Sequence, residues 1–163
     1  MDLTLTEKHR ALRDEANAFI ARHRDRAPQL GGGRKRPDRK VLEWQALLLE
    51  SGYFARNIPR DYGGFGAPHD VIEMAIIADA FSRSGVSPGI HNQGISMLVP
   101  TLLEVGTEEQ KRRWVGPTIR GEVIWCQGYS EPGSGSDLAA AHTRATVQDG
   151  LFVINGQKIW TSS

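Results

Sequence analysis

The residues with the clearest chemical potential form a serine- and glycine-rich loop near the end of the sequence, Ser130–Asp137. Its serines offer hydroxyl donors. Gly133 and Gly135 lack a Cβ, so a ligand can approach the backbone there and a positive φ costs little. Successive amide N–H groups in such a loop can form a concave anion site, which suits a pyrophosphate. The same composition also makes an ordinary turn between strands. Glu131 and Asp137 oppose a bound phosphate unless their carboxylates point away.

The upstream sequence predicts the helices on which this loop must be mounted. Residues 4–25 have an apolar face at helical spacing, and Thr4 and Glu7 have the spacing of a capping box. Residues 38–51 repeat the apolar periodicity and predict a second helix. The basic, glycine-rich stretch 28–37 between them predicts a loop that is exposed to water.

A third helix is predicted to follow Pro68, which suits the first turn of a helix because proline has no N–H to leave unpaired. Residues 71–81 are apolar almost all round. Such a helix is usually buried on several sides, so we expect it at the centre of a helical bundle. Glu73 and Asp79 are then expected on its narrow polar edge.

Two shorter helices are predicted before the sequence changes character. Residues 91–105 have a helical apolar pattern, and Pro100 inside it predicts a kink or a later start. Thr107–Gln110 has the pattern of a second capping box and predicts a short helix through Trp114. Pro117 is expected to stop that helix. Trp114, with the tryptophans at positions 44 and 125, is expected in the core.

The hydrophobic period changes from helical to alternating after Gly121. Asp149-Gly150 and Asn155-Gly156 have the sequence of hairpin turns. A sheet of about forty residues that ends within a strand has open edges, which predicts a fragment. The predicted strands are 123–130, 142–148, 151–154 and 158–163. The predicted fold class is mainly α: an N-terminal up-and-down helical bundle, residues 1–121, followed by an incomplete antiparallel β-domain, residues 122–163.

Composition limits the class of protein. The 163 residues have a net charge of +1, 39% hydrophobic residues and 24% charged residues, which is typical of a globular chain with no global attraction to nucleic acid. The single cysteine, Cys126, excludes an intramolecular disulfide and favours a reducing compartment. No signal-peptide core or membrane-spanning stretch is found, so we expect a cytoplasmic protein without membrane insertion. The histidines lack metal-ligand spacing.

Two motifs lie in the last third of the chain. Ser130–Asp137 has the sequence Ser-Glu-Pro-Gly-Ser-Gly-Ser-Asp, Thr143–Ala145 follows, and Asn155–Ser162 has the sequence Asn-Gly-Gln-Lys-Ile-Trp-Thr-Ser. In order and separation these motifs resemble the flavin-binding part of acyl-CoA dehydrogenases. Upstream, Pro59–Gly66 resembles a glycine-rich connector between early helices of that family. Gly106–Lys111 resembles the start of the family's short helix, so the resemblance covers nearly the whole chain.

The resemblance implies a bound FAD, held between a helical domain, a β-domain and a C-terminal helical bundle. Ser130 would hydrogen-bond the flavin ring, Gly135 and Ser136 would contact the pyrophosphate, and the indole of Trp160 would pack beside the flavin. Without the resemblance, a tryptophan in a strand is explained by cross-strand packing. The cofactor-binding positions that the resemblance implies are Gln127, Tyr129, Ser130, Gly135, Ser136, Trp160, Thr161 and Ser162.

The substrate positions that the resemblance implies are Ser136, which would also lie near the acyl-CoA, and His91 and Ser96 in the acyl pocket. A polar helix start exposed to water explains His91 and Ser96 equally well. In the family the catalytic base is a glutamate of the C-terminal part, which is absent here. No residue of this chain is therefore assigned as catalytic, and none as a metal ligand.

The implied activity is the FAD-dependent α,β-oxidation of an acyl-CoA thioester to the trans-2-enoyl-CoA, with this chain alone expected to be inactive. The implied partners are the acyl-CoA substrate, an electron-transfer flavoprotein as the electron acceptor, and further copies in a homo-oligomer of the intact protein. No nucleic acid is expected. The alternatives are another flavoenzyme on the same scaffold, such as an acyl-CoA oxidase or a flavin monooxygenase, and a non-catalytic helical partner subunit.

Overall fold

The computed structural model describes residues 5–29 and 36–161. In these residues the chain forms two compact units, which divide between Ile124 and Trp125. We call them the helical unit and the second unit. The described helices are α1 (Glu7–His23), α2 (Arg39–Glu50), α3 (Val71–Ser84), α4 (Val99–Val105) and α5 (Glu108–Ile119), and the described strands are β1 (Arg144–Gln148) and β2 (Leu151–Asn155). The predicted fold class, mainly helical with the start of an antiparallel sheet, is confirmed.

Side-chain caps set the starts of three long helices. The Thr6 hydroxyl accepts a bond from the His9 amide at 3.3 Å, so α1 begins at Glu7. The predicted cap residue Thr4 lies outside the described residues. Asp38 accepts the amide of the third residue of α2. Asp70 accepts the amides of Ile72 and Glu73 and caps α3. The predicted first-turn position of Pro68 is therefore wrong, because α3 starts three residues later.

Helix α3 differs most from its prediction. Its buried face is apolar, with Phe81 only 2% exposed. However, Val71 is 67% exposed, so the expectation of a helix buried on several sides is wrong for its first turns. Glu73 was expected on a polar edge, yet it is only 4% exposed. Its carboxylate accepts Lys8 Nζ at 2.6 Å and Arg56 Nε at 2.8 Å, which compensates for the loss of water around the charge.

Two prolines have different effects. The segment Gly94–Leu98 forms a π-helical turn, and α4 starts only at Val99, with Pro100 in its first turn. The prediction of a later start is confirmed. Pro117 lies inside α5, which continues to Ile119, so the prediction that Pro117 stops this helix is wrong. The capping box at the start of α5 is confirmed, since Thr107 and Gln110 exchange side-chain bonds with each other's amides.

The larger apolar cluster of the helical unit lies between α1, α2 and α3, and a smaller one contains Ile58, Val99, Val115 and Ile119. Trp44 is 2% exposed and Leu48 is fully buried. The Trp44 indole N–H donates to the Ser87 carbonyl at 2.9 Å, so its polar atom is paired. Trp44 is in the core as predicted, whereas the indoles at positions 114 and 125 are only half-buried. None of the helices in the described ranges has both the length and the apolar content that a bilayer crossing requires.

In the second unit, β1 and β2 form an antiparallel hairpin in which Gln148 pairs with Leu151. The predicted Asp149-Gly150 turn is confirmed, and both of its residues have positive φ. The predicted strands 123–130 and 158–163 are wrong over residues 123–130 and 158–161, where the backbone forms no strand ladder. Among the described residues, one backbone bond, from the Ile159 amide to the Ser130 carbonyl at 2.9 Å, joins these segments.

Candidate functional site

The serine-glycine loop Ser130–Asp137 is a closed turn with its own hydrogen bonds. Glu131 and Ser134 exchange both backbone bonds, at 2.7 and 3.1 Å, around Pro132-Gly133. The Ser134 hydroxyl donates to the Asp137 carbonyl at 2.8 Å, and Ser134 is only 4% exposed. This serine therefore serves the loop itself. Ser136 is exposed and Ser130 is half-buried.

The two glycines of the loop leave its backbone open. Neither Gly133 nor Gly135 has a positive φ. A Cβ added at either position would meet no other atom within 4 Å. Neither the backbone conformation nor the packing of this chain requires glycine there. The missing side chains therefore leave room for a ligand to approach the loop from outside.

From the sequence, the carboxylate of Glu131 was expected to repel an anion in this loop. In the structure this side chain points into the second unit. Its side chain is 5% exposed. The carboxylate accepts the His142 amide at 2.6 Å, the Thr143 amide at 2.9 Å and Lys158 Nζ at 2.9 Å. The Thr143 side chain, Lys158 and the two amides hold the pKa of the Glu131 carboxyl far below its ordinary value. Its charge is thus compensated inside the unit.

The structure brings the two sequence motifs together. The bond between Ile159 and Ser130 places the segment with Trp160 and Thr161 beside the serine-glycine loop. Trp160 is 79% exposed, so cross-strand packing does not explain this indole. Thr161 is also exposed. Trp160 has a φ of 56°, a left-handed conformation that costs free energy in a residue with a Cβ and is found most often at functional sites.

The remaining predicted positions are distributed as follows. Tyr129 is 62% exposed and Gln127 is half-buried, both on the segment that leads into the loop. Ser162 lies outside the described residues. His91 and Ser96 belong to the helical unit and are exposed. The Ser96 hydroxyl donates to the Asn92 carbonyl at 3.1 Å inside the π-helical turn, a feature that is frequent at functional sites.

The family model described as "Acyl-CoA dehydrogenase, N-terminal domain" matches residues 6–122. The chain belongs to the acyl-CoA dehydrogenase family. The similarity also includes the second unit, because solved structures align with nearly the whole chain.

Individual relatives agree with the family assignment. The chain is 40% identical over 121 residues to "Acyl-CoA dehydrogenase FadE34" of Mycobacterium tuberculosis, covering 73% of this chain and 16% of the relative. It aligns with a structure described as "Tcur3481-Tcur3483 steroid ACAD" with a TM-score of 0.67 and 31% identity, over 99% of this chain and 41% of that one. An acyl-CoA dehydrogenase from Bacillus anthracis, complexed with FAD, aligns with a TM-score of 0.57 and 26% identity, over 96% of this chain and 27% of that one. The chain thus spans well under half of these relatives.

Sequence reasoning missed the role of two residues in this acyl-CoA dehydrogenase chain. Glu131 was treated as part of a turn, and Lys158 was quoted in the second motif without a role. The structure joins them across 27 residues. Lys158 Nζ also donates to the Tyr129 carbonyl at 2.9 Å. The available clue was that the first motif contains two carboxylates, Glu131 and Asp137, and the second motif contains one cation, Lys158, so that an ion pair between the motifs was possible.

The helical unit has an open cleft of about 370 Å³, outside the predicted site residues. It is lined by the end of α2, the glycine-rich connector and the side chains of Arg60 and Arg120. Arg120 makes a two-bond pair with Glu122, at 2.6 and 2.9 Å, and Arg60 Nε donates to the Phe65 carbonyl at 3.0 Å. Both guanidinium groups are therefore used within the unit. In the described ranges, no three potential ligand side chains lie close enough to hold a metal ion.

Proposed function

We propose that this chain is the N-terminal part of an FAD-dependent acyl-CoA dehydrogenase that oxidises an acyl-CoA thioester to the trans-2-enoyl-CoA. The observation that supports this best is the junction of the two motifs. The Ile159–Ser130 bond joins the segment that has an open glycine backbone to the segment that has an exposed indole. Within the family, residues 1–121 would form the N-terminal helical domain and residues 122–163 the start of the β-domain.

The residues present fit one side of a flavin nucleotide. We propose that the amides around Gly135 and the Ser136 hydroxyl bind the pyrophosphate, because backbone N–H groups and a hydroxyl are suitable donors to its oxygens. The Ser130 hydroxyl would donate to the flavin ring, and the Trp160 indole would cover one edge of it. Thr161 and Ser162 would contact the ring beyond the indole. FAD, when bound, supplies the hydride acceptor for the oxidation.

The contribution of this chain to catalysis would be orientation. The reaction needs the β-carbon of the acyl chain, which gives up the hydride, about 3–3.5 Å from the hydride acceptor, and proteins achieve that distance by fixing both partners. Gln127 and Tyr129 would border the ring, and Ser136 would lie near the acyl-CoA. His91 and Ser96 would line the acyl pocket. The catalytic base would come from residues outside this chain, so we propose that the chain alone has no activity.

The substrate class and the assembly are also proposals. One of the aligned structures, at 31% identity, is described as "Tcur3481-Tcur3483 steroid ACAD", and another, also at 31% identity, is described as the ChsE4-ChsE5 complex from Mycobacterium tuberculosis. From these names we propose a bulky, sterol-derived acyl group as the substrate class and a related subunit as the partner. We further propose a cytoplasmic location, which the single cysteine favours, and an electron-transfer flavoprotein as acceptor by analogy with the family.

The direct test uses the complete product of the reading frame that contains this chain. The purified protein is expected to have a flavin absorbance spectrum. Anaerobic addition of a saturated acyl-CoA should bleach that spectrum. The matching 2-enoyl-CoA, which is already oxidised at its α- and β-carbons, is the control. Straight-chain and sterol side-chain thioesters are compared at equal concentration. A protein without flavin, or a flavin that no acyl-CoA reduces, would contradict the proposal.

A second experiment tests the division of labour between this chain and the rest of the protein. The chain of 163 residues is mixed with FAD and desalted. Weak or no retention is expected, because these residues provide only one side of the flavin site. Stoichiometric retention would show that the proposed dependence on further residues is wrong. The same solution with an acyl-CoA should show no flavin bleaching.

A further inference from the structure

The buried side chains of the second unit are polar. Among residues 125–161, the side chains below one tenth exposure are Glu131 at 6% and Ser134 at 4%. The strand residues of the hairpin are all exposed. In this part of the chain an apolar core therefore does not fix the loops. The carboxylate of Glu131 is the buried group with the largest set of partners.

Three separate segments meet at that carboxylate. It accepts the amides of His142 and Thr143, which lie 11 and 12 residues away, and the ammonium of Lys158, which lies 27 residues away. Lys158 Nζ also donates to the Tyr129 carbonyl, so the same ammonium holds the segment that precedes the loop. We call this set of groups, Glu131, Lys158 and the two amides, the Glu131 clasp.

The two charged residues of the clasp are adjacent in sequence to residues that are predicted to face the flavin. Tyr129 and Ser130 are the neighbours of Glu131 in sequence, and Ile159 and Trp160 follow Lys158. The Lys158 stem lies under Gly128, where an added Cβ would be 3.4 Å from Lys158 Cγ. A Cβ at Gly156, whose φ is 154°, would collide with Thr143. Both glycines thus allow the close approach on which the clasp depends.

We propose that Glu131 and Lys158 are positioning residues of the flavin site: the ion pair between the buried Glu131 carboxylate and the partly exposed Lys158 fixes the serine-glycine loop against the Trp160–Thr161 segment. This proposal rests on the proposed function, because the flavin is the ligand that both segments would contact. The pair does not touch the flavin. It acts through the backbone of Tyr129, Ser130 and Ile159, which sets the spacing between the loop and the indole.

The first test measures hydrogen exchange in the chain of 163 residues. Glu131→Gln should raise the exchange rates of the His142 and Thr143 amides about tenfold or more, because their charged acceptor is lost. Lys158→Met should raise the rate at Ile159, while Lys158→Arg should preserve protection. Asp137→Asn, which removes an exposed carboxylate of the same loop, is the matched control. Unchanged rates at both amides in Glu131→Gln would overturn the clasp.

The second test measures FAD binding by the complete gene product. Lys158→Met and Glu131→Gln should weaken FAD binding about tenfold or more and change the circular dichroism of the bound flavin, and Lys158→Arg should restore both. Normal binding and an unaltered flavin signal in Glu131→Gln, together with increased exchange, would overturn the positioning role but leave the proposed function intact. If the wild-type gene product binds no FAD, the proposed function fails and the flavin-positioning role fails with it. The exchange rates then still show whether Glu131 holds the segments. Far-ultraviolet circular dichroism of the helical unit confirms that each variant is folded.

Discussion

Leu48 and Trp44 are almost completely removed from water in the helical unit, whereas the corresponding buried side chains among residues 125–161 are Glu131 and Ser134. The helical unit gains stability from the burial of apolar area, and this free energy does not depend on the direction of individual contacts. The second unit depends on a few directional polar bonds that are strong only at the correct distance. The two regions therefore differ in what a substitution will damage: total stability in the first, and local position in the second.

A core truncation should show the largest contrast between the two units. Leu48→Ala should reduce the free energy of unfolding of the helical unit by about 3 kcal/mol, since it removes a fully buried side chain and leaves a cavity. Leu138→Ala, at a leucine of the second unit that is 69% exposed, should change it by less than about 0.5 kcal/mol. Urea unfolding followed by far-ultraviolet circular dichroism measures both. Equal effects would contradict the contrast.

The buried ion pair of the helical unit should have an intermediate effect. Glu73→Gln leaves Arg56 and Lys8 without their anion, and we expect a loss of about 1–2 kcal/mol because Lys8 is largely exposed. Lys8, followed by Arg56, lowers the pKa of Glu73, while burial opposes that shift. The contribution is therefore fully present above the ordinary glutamate pKa of about 4.3 and is lost as pH falls below it.

The measurement for this pair is urea unfolding as a function of pH. Wild type and Glu73→Gln should differ at neutral pH, and their stabilities should converge as the solution becomes more acidic. Glu109→Gln, at an exposed position of α5, is the control and should follow wild type. A difference that is independent of pH would show that packing, and not the charge, makes Glu73 stabilising.

A helix cap should have a smaller effect. Thr107→Ala removes the hydroxyl that accepts the Gln110 amide at 3.2 Å and should cost about 1 kcal/mol. Thr101→Ala, at an exposed threonine inside α4, should change stability by less than about 0.5 kcal/mol. Thermal unfolding of the two variants side by side measures the difference. If Thr101→Ala lowers the stability as much as Thr107→Ala, the bond between the Thr107 hydroxyl and the Gln110 amide does not stabilise the start of α5.

The smallest effect on stability is expected at the glycines of the serine-glycine loop. Gly133→Ala and Gly135→Ala should change the free energy of unfolding by less than about 0.5 kcal/mol, because no atom lies within 4 Å of the added methyl group. In the complete gene product the same changes should weaken FAD binding about tenfold, which corresponds to about 1.4 kcal/mol. Gly156→Ala should instead lower the free energy of unfolding of the protein without FAD, because the added Cβ would collide with Thr143. A loss of stability without a loss of FAD affinity would contradict the open-backbone argument.

Local sequence predicted the helices better than the sheet. Apolar periodicity and caps depend on neighbours within one or two turns, and the capping box at Thr107 was found in this way. Strand pairing depends on a distant partner, which composition does not reveal. The segment 123–130 has a strand-like composition, yet it makes a single backbone bond to Ile159. The prediction that Glu73 lies on a polar edge was wrong for the same reason, because its partners Lys8 and Arg56 lie on other segments of the chain.

The candidate site was predictable as far as residue types, and not as far as geometry. The motifs indicated which positions could face a flavin, and the structure brings Ser130 and Ile159 together as two motifs of one site would require. The inward direction of the Glu131 carboxylate could not be predicted. It depends on amides at positions 142 and 143 that are contributed by a separate turn.

The central claim is that the serine-glycine loop and the Trp160 segment form one side of a flavin site. Hydrogen exchange of the complete gene product, with and without FAD, tests it most directly. We predict that FAD slows exchange at the amides of residues 133–137 and 160–161, while the exposed face of α5 serves as the internal reference. Unchanged exchange in both segments, in a protein that is shown to bind FAD, would contradict the claim.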